Sequence, residues 1–358
     1  MSALIDYKPV DREFYESRLR RFLPDSLIDI HSHVWLAAHA AGAKTAGVPA
    51  RTVTWPQRVA RENPIEDLLE TYRLLLPGKT VTPLIFPFPA EGGNLEVLNG
   101  YAAACAARCR LPALALASPE WSAAEFERRI LAGAFLGAKV YLTYAPAHLP
   151  AEEIRIYDFL PPHQLDMLDR HGWIVMLHLP RSGRLRDPMN LAQLMEIDER
   201  YPSARVIIAH VGRAYSPEDV GNAFEVLAPA KRLLFDISAN TCEQVFRRLL
   251  GAVGPRRVLF GTDLPIVRMR MRRLSEGGRY VNLVPRGLYG DVSGDPHLRA
   301  TDGEEADRLT FFLYEEIDAF RRAAEAQGLT PADVEDVFFN NAKALLEGAG
   351  GSRDGVTK

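Results

Sequence analysis

Cysteine is scarce in this 358-residue chain: Cys105, Cys109 and Cys242 are three, an odd number without framework spacing. That excludes a disulfide scaffold and points to a reducing compartment. Cys105 and Cys109 fall four apart in an Ala-rich stretch with no second Cys/His pair beside them, so they read as buried or half-buried thiols rather than metal ligands. No apolar run approaches the ~20 residues needed to cross a bilayer. The N-terminal "MSALIDYKPVDREFYESRLRRF" carries charge throughout where a signal peptide would have an apolar core. Lysine is rare beside arginine, the net charge is −3, and no basic run is long enough to follow a phosphate backbone. A nucleic-acid partner is thereby excluded. A Gly-rich phosphate loop is missing as well, since "EGGN" at 91–94 lacks the spacing and follows "FPFPA". The expectation is a cytoplasmic protein that handles a small molecule.

What is present is a repeating pattern. Apolar residues make up 47 % and charged residues 25 % of the chain, the balance of a globular protein. Short apolar runs at 27–31, 81–86, 111–117, 137–144, 173–178, 205–210, 232–238 and 257–263 alternate with amphipathic stretches such as "PIEDLLETYRLLL" and "CEQVFRRLLGAVG". Continuous apolar strands alternating with helices mean a parallel sheet buried on both faces. Eight such units predict an α/β fold, a distorted (β/α)₈ TIM barrel, with extra C-terminal helices. Residues 34–62 and 264–302 do not fit the repeat and are expected as long functional loops after strands one and eight. The division expected is an N-terminal helical extension (1–24), the barrel domain (25–347) and a disordered tail (348–358).

The chemistry begins in "LPDSLIDIHSHVW", residues 23–35. Side chains alternate along a strand, so His31 and His33 point the same way. His178 ends the fifth predicted strand, His210 the sixth and Asp263 the eighth, with Lys139 inside the fourth. Parallel barrel strands open their C-terminal ends on one face, where active sites of this architecture lie. One histidine at a strand end is usually structural, and His39, His148, His163, His171 and His297 read that way from their helix or loop settings. Four histidines and an acid at the same end are different. An unpaired buried carboxylate is costly without a cation or hydrogen-bond donors. Imidazole and carboxylate donors without thiolates suit one divalent ion, Zn²⁺ first, with Fe²⁺, Mn²⁺ or Co²⁺ alternatives. Arg181 and Arg213, each three residues beyond an active-site histidine, are candidate contacts to a substrate carboxylate. Arg184, Arg186, Arg270 and Arg272 read as ordinary surface residues. Lys139 reads as an anion contact, and Trp35 as an apolar wall of the site or a packing residue under the loop.

The ordered set "DIHSH", "MLHLP", "IIAHVG", "LFGTDLP" and the closing "VFFNNAKALL" resembles the amidohydrolase superfamily over residues 25–347, in the branch of metal-dependent hydrolases and non-oxidative decarboxylases. The resemblance implies that His31, His33, His178 and Asp263 surround one divalent metal. It implies that His210 touches a second metal or polarises the substrate, and that Asp263 passes a proton from water to the leaving group. In some relatives a strand-four lysine is carboxylated and bridges two metals, the alternative for Lys139. Arg213 stands where relatives often carry a glycine pair, so a substrate cannot be borrowed. Three functions follow as expectations: a metal-dependent hydrolase of a small carboxylated amide, lactone or ester; a metal-dependent decarboxylase of an aromatic or unsaturated acid; or a non-catalytic metal-binding barrel. A homodimer is an expectation of barrels in general.

Overall fold

The computed structural model describes residues 4–39, 55–89 and 93–350. All eight expected strands form: β1 (Ser26–Val34), β2 (Thr80–Pro87), β3 (Ala115–Leu116), β4 (Gly137–Val140), β5 (Ile174–Leu177), β6 (Arg205–Ile208), β7 (Leu234–Asp236) and β8 (Val258–Leu259). β3 to β8 make one parallel sheet in sequence order, and β1 pairs in parallel with β2. Single bridges, Ile85 to Ala113 and Ser32 to Leu264, join the two sheets. The ladder is thus interrupted at two joins, the distortion the short strands impose.

Alternation explains the packing. Ile174 and Met176 lie in an inner cluster with Ile28, Ile30, Leu84, Leu114, Ile207 and Leu259, while Val175 and Leu177 pack outward into the larger core beneath the helices. A strand buried on both faces has to be apolar throughout, which is why these runs show no polar alternation. Ala342 and Leu345 of the helix Asn341–Gly350 close the inner cluster. That helix reaches three residues into the expected tail; 351–358 lie outside the described residues.

The helices begin where the sequence supplies caps. Asn94 accepts the Glu96 N–H, Ser122 that of Glu125, and Asp187 those of Met189 and Asn190. Helix Glu243–Val253 buries Val245, Phe246, Leu249 and Leu250, one stripe at helical spacing, against helix Phe312–Ala326.

The segment after β8 corrects the expectation of a long loop. It contains β9 (Arg272–Glu276), antiparallel to β10 (Arg279–Pro285), which pairs in parallel with β11 (Leu298–Thr301). Its residues alternate weakly and are broken by Gly277–Gly278, a two-residue hairpin turn with φ of +56° and +75°. Of the loop after β1, residues 40–54 lie outside the described residues; its ends are tied by a bridge between Trp35 and Asn63.

Candidate functional site

His31 and His33 project from β1 where its pairing with β2 slips register, between Asp29 and Ser32. Asp29, fully buried, accepts the N–H groups of His31 and Thr262 and the hydroxyls of Tyr72 and Thr262. This carboxylate ties the end of β1 to the residues after β8. Gly261 permits the approach, because a Cβ there would lie 2.9 Å from the Cβ of His31.

The imidazoles of His31, His33 and His210 each have one nitrogen fixed by a protein oxygen. His31 Nδ1 donates to Asp236 Oδ2 at 2.8 Å, His33 Nδ1 to the Pro87 carbonyl at 3.3 Å, and His210 Nδ1 to the Ser238 carbonyl at 3.1 Å. These partners assign the tautomers and leave every Nε2 as a lone pair. The Nε2 atoms of His33 and His31 lie 3.0 and 3.4 Å from Asp263 Oδ1. A neutral His33 therefore meets Asp263 acceptor to acceptor, an arrangement that an added proton or a cation resolves. Carboxylate or carbonyl partners behind the ligating nitrogens are the arrangement metal-binding histidines show. The donor atoms of His31, His33 and Asp263 all lie within 4.8 Å of one another, and this set fits a divalent ion.

A second close group, His31, His210 and Asp236, has a different origin. Asp236 already accepts His31 Nδ1, the His210 N–H, the Ser238 N–H and the Ser238 hydroxyl. It is a saturated hydrogen-bond hub that orients the His31 imidazole directly and the His210 imidazole through Ser238.

Electrostatics agree. Burial, then the Lys139 charge, holds His31 well below the usual imidazole range, and burial lowers His210 too. Neutral imidazole is the metal-binding form. Burial works to raise the Asp263 carboxyl; a proton on His33 Nε2 with charge on the His210 and His31 rings would outweigh burial and hold it at about 2, and with those rings neutral the same pull falls to a bound cation. Lys139, 0 % exposed, is pushed down to about 8 by burial against the pull of Asp236 and Asp263. Its Nζ lies 3.3 Å from His31 Nε2, between the Phe86 and Tyr141 rings.

The site carries backbone strain. His210, Val211, Gly212 and Arg213 run at φ of +56°, +49°, +66° and +65°, and Asp263 at +66°. A left-handed non-glycine residue costs roughly 1–2 kcal/mol, and β-branched Val211 is an outlier. A Cβ on Gly212 would come within 2.7 Å of Leu185. This turn brings both His210 and Arg213 to one cavity of about 270 Å³.

That cavity is lined by His33, Tyr141, His178, His210 and Asp263 together with Arg184, Arg213, Arg273, Tyr215, Tyr280 and His297, with the Arg184 and Arg273 guanidiniums against the Tyr215 and Tyr280 rings. Several sequence expectations are corrected by this placement. His178 shares the cavity, 5.2 Å from the His210 ring and 5.5 Å from Tyr141, but joins neither close donor group. Two ligands of one Zn²⁺ at about 2.1 Å cannot be more than about 4.2 Å apart, so His178 ligates the same ion only after moving. Its Nδ1 is buried without a hydrogen-bond partner among the described residues. Arg181 is taken by Asp187 at 3.0 Å and does not line the cavity. Trp35 packs behind Phe88 with its indole N–H on the Arg61 carbonyl, the packing alternative. His297, read as structural, stacks on Tyr280 in the cavity wall. Arg184, read as surface, also lines it. Sequence reasoning missed Asp236, Ser238, Tyr141 and Arg273. Asp236 was detectable, being an acid that ends an apolar strand as Asp263 does.

The amidohydrolase family model matches residues 28–348. The chain belongs to the amidohydrolase family. Comparison with curated proteins finds no match. Among solved structures, a probable 2-pyrone-4,6-dicarboxylic acid hydrolase from Acinetobacter baumannii with citric acid bound is 16 % identical, with 89 % of this chain and 98 % of that one covered at a TM-score of 0.53. The 5-carboxyvanillate decarboxylase of Sphingomonas paucimobilis is 13 % identical, with 90 % and 99 % covered at 0.53. A Burkholderia multivorans amidohydrolase with zinc bound is 13 % identical, with 89 % and 98 % covered at 0.50. At these identities the likeness is one of fold. No helix among the described residues is long and apolar enough to cross a membrane.

Proposed function

We propose that this amidohydrolase-family member is a metal-dependent hydrolase of a small carboxylated amide, lactone or ester. The observation that carries the reading is Asp263, ionised and 17 % exposed at the cavity, with its oxygen against the lone pairs of His31 and His33. His31, His33 and Asp263 would hold the ion, with Zn²⁺ the first choice for this donor set. Bound there, a divalent ion lowers the pKa of water and polarises the scissile carbonyl.

The chain's own residues do the rest. Asp263 takes the proton of the attacking water and delivers it to the departing nitrogen or oxygen, general acid–base work worth about 10²–10⁴ in rate. Asp236 keeps the His31 ring oriented through Nδ1. His210, with its proton on Nδ1, offers Nε2 as an acceptor for a substrate hydroxyl or N–H; polarising a carbonyl, the role the resemblance implied, needs a second proton on that ring. Lys139 supplies positive charge beneath His31.

The decarboxylase reading keeps one supporting observation, the arginine-lined wall of the cavity, which suits an acid substrate. A panel of carboxylated lactones, amides and esters, run beside aromatic carboxylic acids with CO₂ detection, separates the two. Hydrolysis without CO₂ supports the proposal, and CO₂ release without hydrolysis overturns it. Metal bound with no turnover of any member supports a non-catalytic barrel.

A further inference from the structure

The arginine-lined wall of the cavity holds more positive charge than the carboxylates among the described residues pair with. Arg184 has a carboxylate partner, Asp219, at 3.3 Å. Arg213 and Arg273 have none among the described residues. Arg213 spends one N–H on the Leu179 carbonyl at 3.0 Å. Arg273 donates Nε to Asn282 Oδ1 at 2.8 Å and Nη1 to the Ala239 carbonyl at 2.9 Å. Its guanidinium lies 4.6 Å from the Tyr280 ring centroid, 4.7 Å from Phe312 and 4.9 Å from Tyr215. Surface arginines turn outward to water; these two are drawn inward and fixed by neutral groups, each with donors left over. Both are half-buried in the cavity wall, so an anion entering the cavity meets donors already held in place.

We infer that Arg213 and Arg273 form a clasp for the carboxylate of the substrate, and that the three-stranded sheet after β8 is the element that sets substrate choice. The inference rests on the proposed function for the chemistry at Asp263, and adds where the non-reacting end is held. Arg273 sits on β9, and its holder Asn282 lies opposite it in register on β10. The sheet thus delivers one guanidinium, and the strained turn after β6 delivers the other. Planar guanidinium forks match a carboxylate through paired hydrogen bonds. The rings of Tyr215 and Tyr280 supply an apolar wall that favours a flat, unsaturated body attached to that carboxylate.

Benzoate and its neutral isostere benzamide are the probes, titrated by calorimetry into the metal-loaded protein. The expected result is benzoate binding at least about tenfold tighter than benzamide, a preference that falls toward one in Arg273→Gln at unchanged metal content. Equal binding of the two by the wild type overturns the clasp. So does a preference that survives in Arg273→Gln, because the carboxylate then sits at the histidines. Phenylphosphonate binding tenfold tighter than benzoate assigns the arginines to phosphoryl groups and overturns the carboxylate assignment. If Arg273→Gln does not fold, a crystal of the wild type with benzoate decides: carboxylate oxygens within about 3.2 Å of both guanidiniums support the clasp, and oxygens at Asp263 and His33 overturn it. Metal content is the separate check on the proposed chemistry. A protein that binds no divalent ion but prefers benzoate loses the hydrolase reading and keeps the clasp; one that binds metal without the preference does the reverse.

Discussion

The histidine–aspartate group and the arginine group of this site are built by different rules. In the first, His31, His33 and Asp263 sit on or just beyond parallel strands, cross-tied by Asp29, and every ring nitrogen behind them has an oxygen partner. In the second, Arg213 rides a left-handed turn and Arg273 a separate small sheet, and both guanidiniums keep donors unspent. The first group is complete except for a cation; the second is complete except for an anion. Chemistry that does not vary belongs on the rigid strand ends, and selection among substrates on the appended sheet. The comparison breaks if damage to one group is felt equally at the other.

The largest effect is expected from Asp263→Asn, which removes the proton acceptor while keeping the shape. Turnover should fall about 10³-fold, within the range for general acid–base groups, with benzoate affinity within about twofold of wild type on the scale where tenfold is about 1.4 kcal/mol. Steady-state kinetics on any substrate found in the panel, beside calorimetry, checks both. Next is Asp236→Asn. The change turns an acceptor of the His31 Nδ1–H into an amide that can present its NH₂ instead, and metal affinity should drop about 10–100-fold, as when such supporting partners are lost. Competition with a chromophoric chelator measures it, and an unchanged metal Kd would mean that Asp236 does not orient His31.

The same contrast accounts for what was legible in the sequence. β1, β5, β6 and β8 bury both faces, so their apolar runs stop abruptly at polar residues, and His31, His33, His210 and Asp263 stood out. Asp236 ends β7 in the same manner and was overlooked because it was a lone acid with no motif around it. His178 occupied the right strand end, yet position along a strand does not give the distance across the cavity, and the ring rests beside Tyr141 and His210. Arg181 and Arg213 carry the same spacing from their histidines and the same left-handed φ, +64° and +65°; what separates them is the partner each side chain meets, Asp187 for Arg181 and the Leu179 carbonyl for Arg213 in the cavity wall, which spacing does not reveal. Arg273 and His297 could not be found by pattern, because β9 is short, polar and partly exposed, His297 precedes β11, and the register of β9 on the buried β10 decides which side chains turn inward.

Smaller effects sharpen the division. Gly261→Ala places a methyl 2.9 Å from the His31 Cβ, with Ile30 and Asp236 at 3.4 and 3.5 Å on the other contacts. Nothing there can move without shifting β1, so a loss of about 1–3 kcal/mol in stability is expected from overpacking, read as a lower urea midpoint, together with weakened metal binding. The benzoate preference over benzamide should persist.

Asn282→Ala is the mildest and the most discriminating. Asn282 is fully buried, accepts Arg273 Nε through Oδ1, and leaves its own Nδ2 without a partner among the described residues. Removing the side chain takes away one acceptor from a charged donor, a bond of about 1.5–3 kcal/mol, and also deletes a buried donor that was already unsatisfied. The two changes partly offset in stability, so the melting temperature should move by only a few degrees. Arg273 keeps its bond to the Ala239 carbonyl and its aromatic neighbours, and loses only its aim. Benzoate affinity should therefore fall by about three- to tenfold, benzamide affinity should hold, and metal stoichiometry should not change. Full benzoate affinity in this variant would mean that the sheet does not position Arg273, and the assignment of substrate choice to the appended sheet would fail with it.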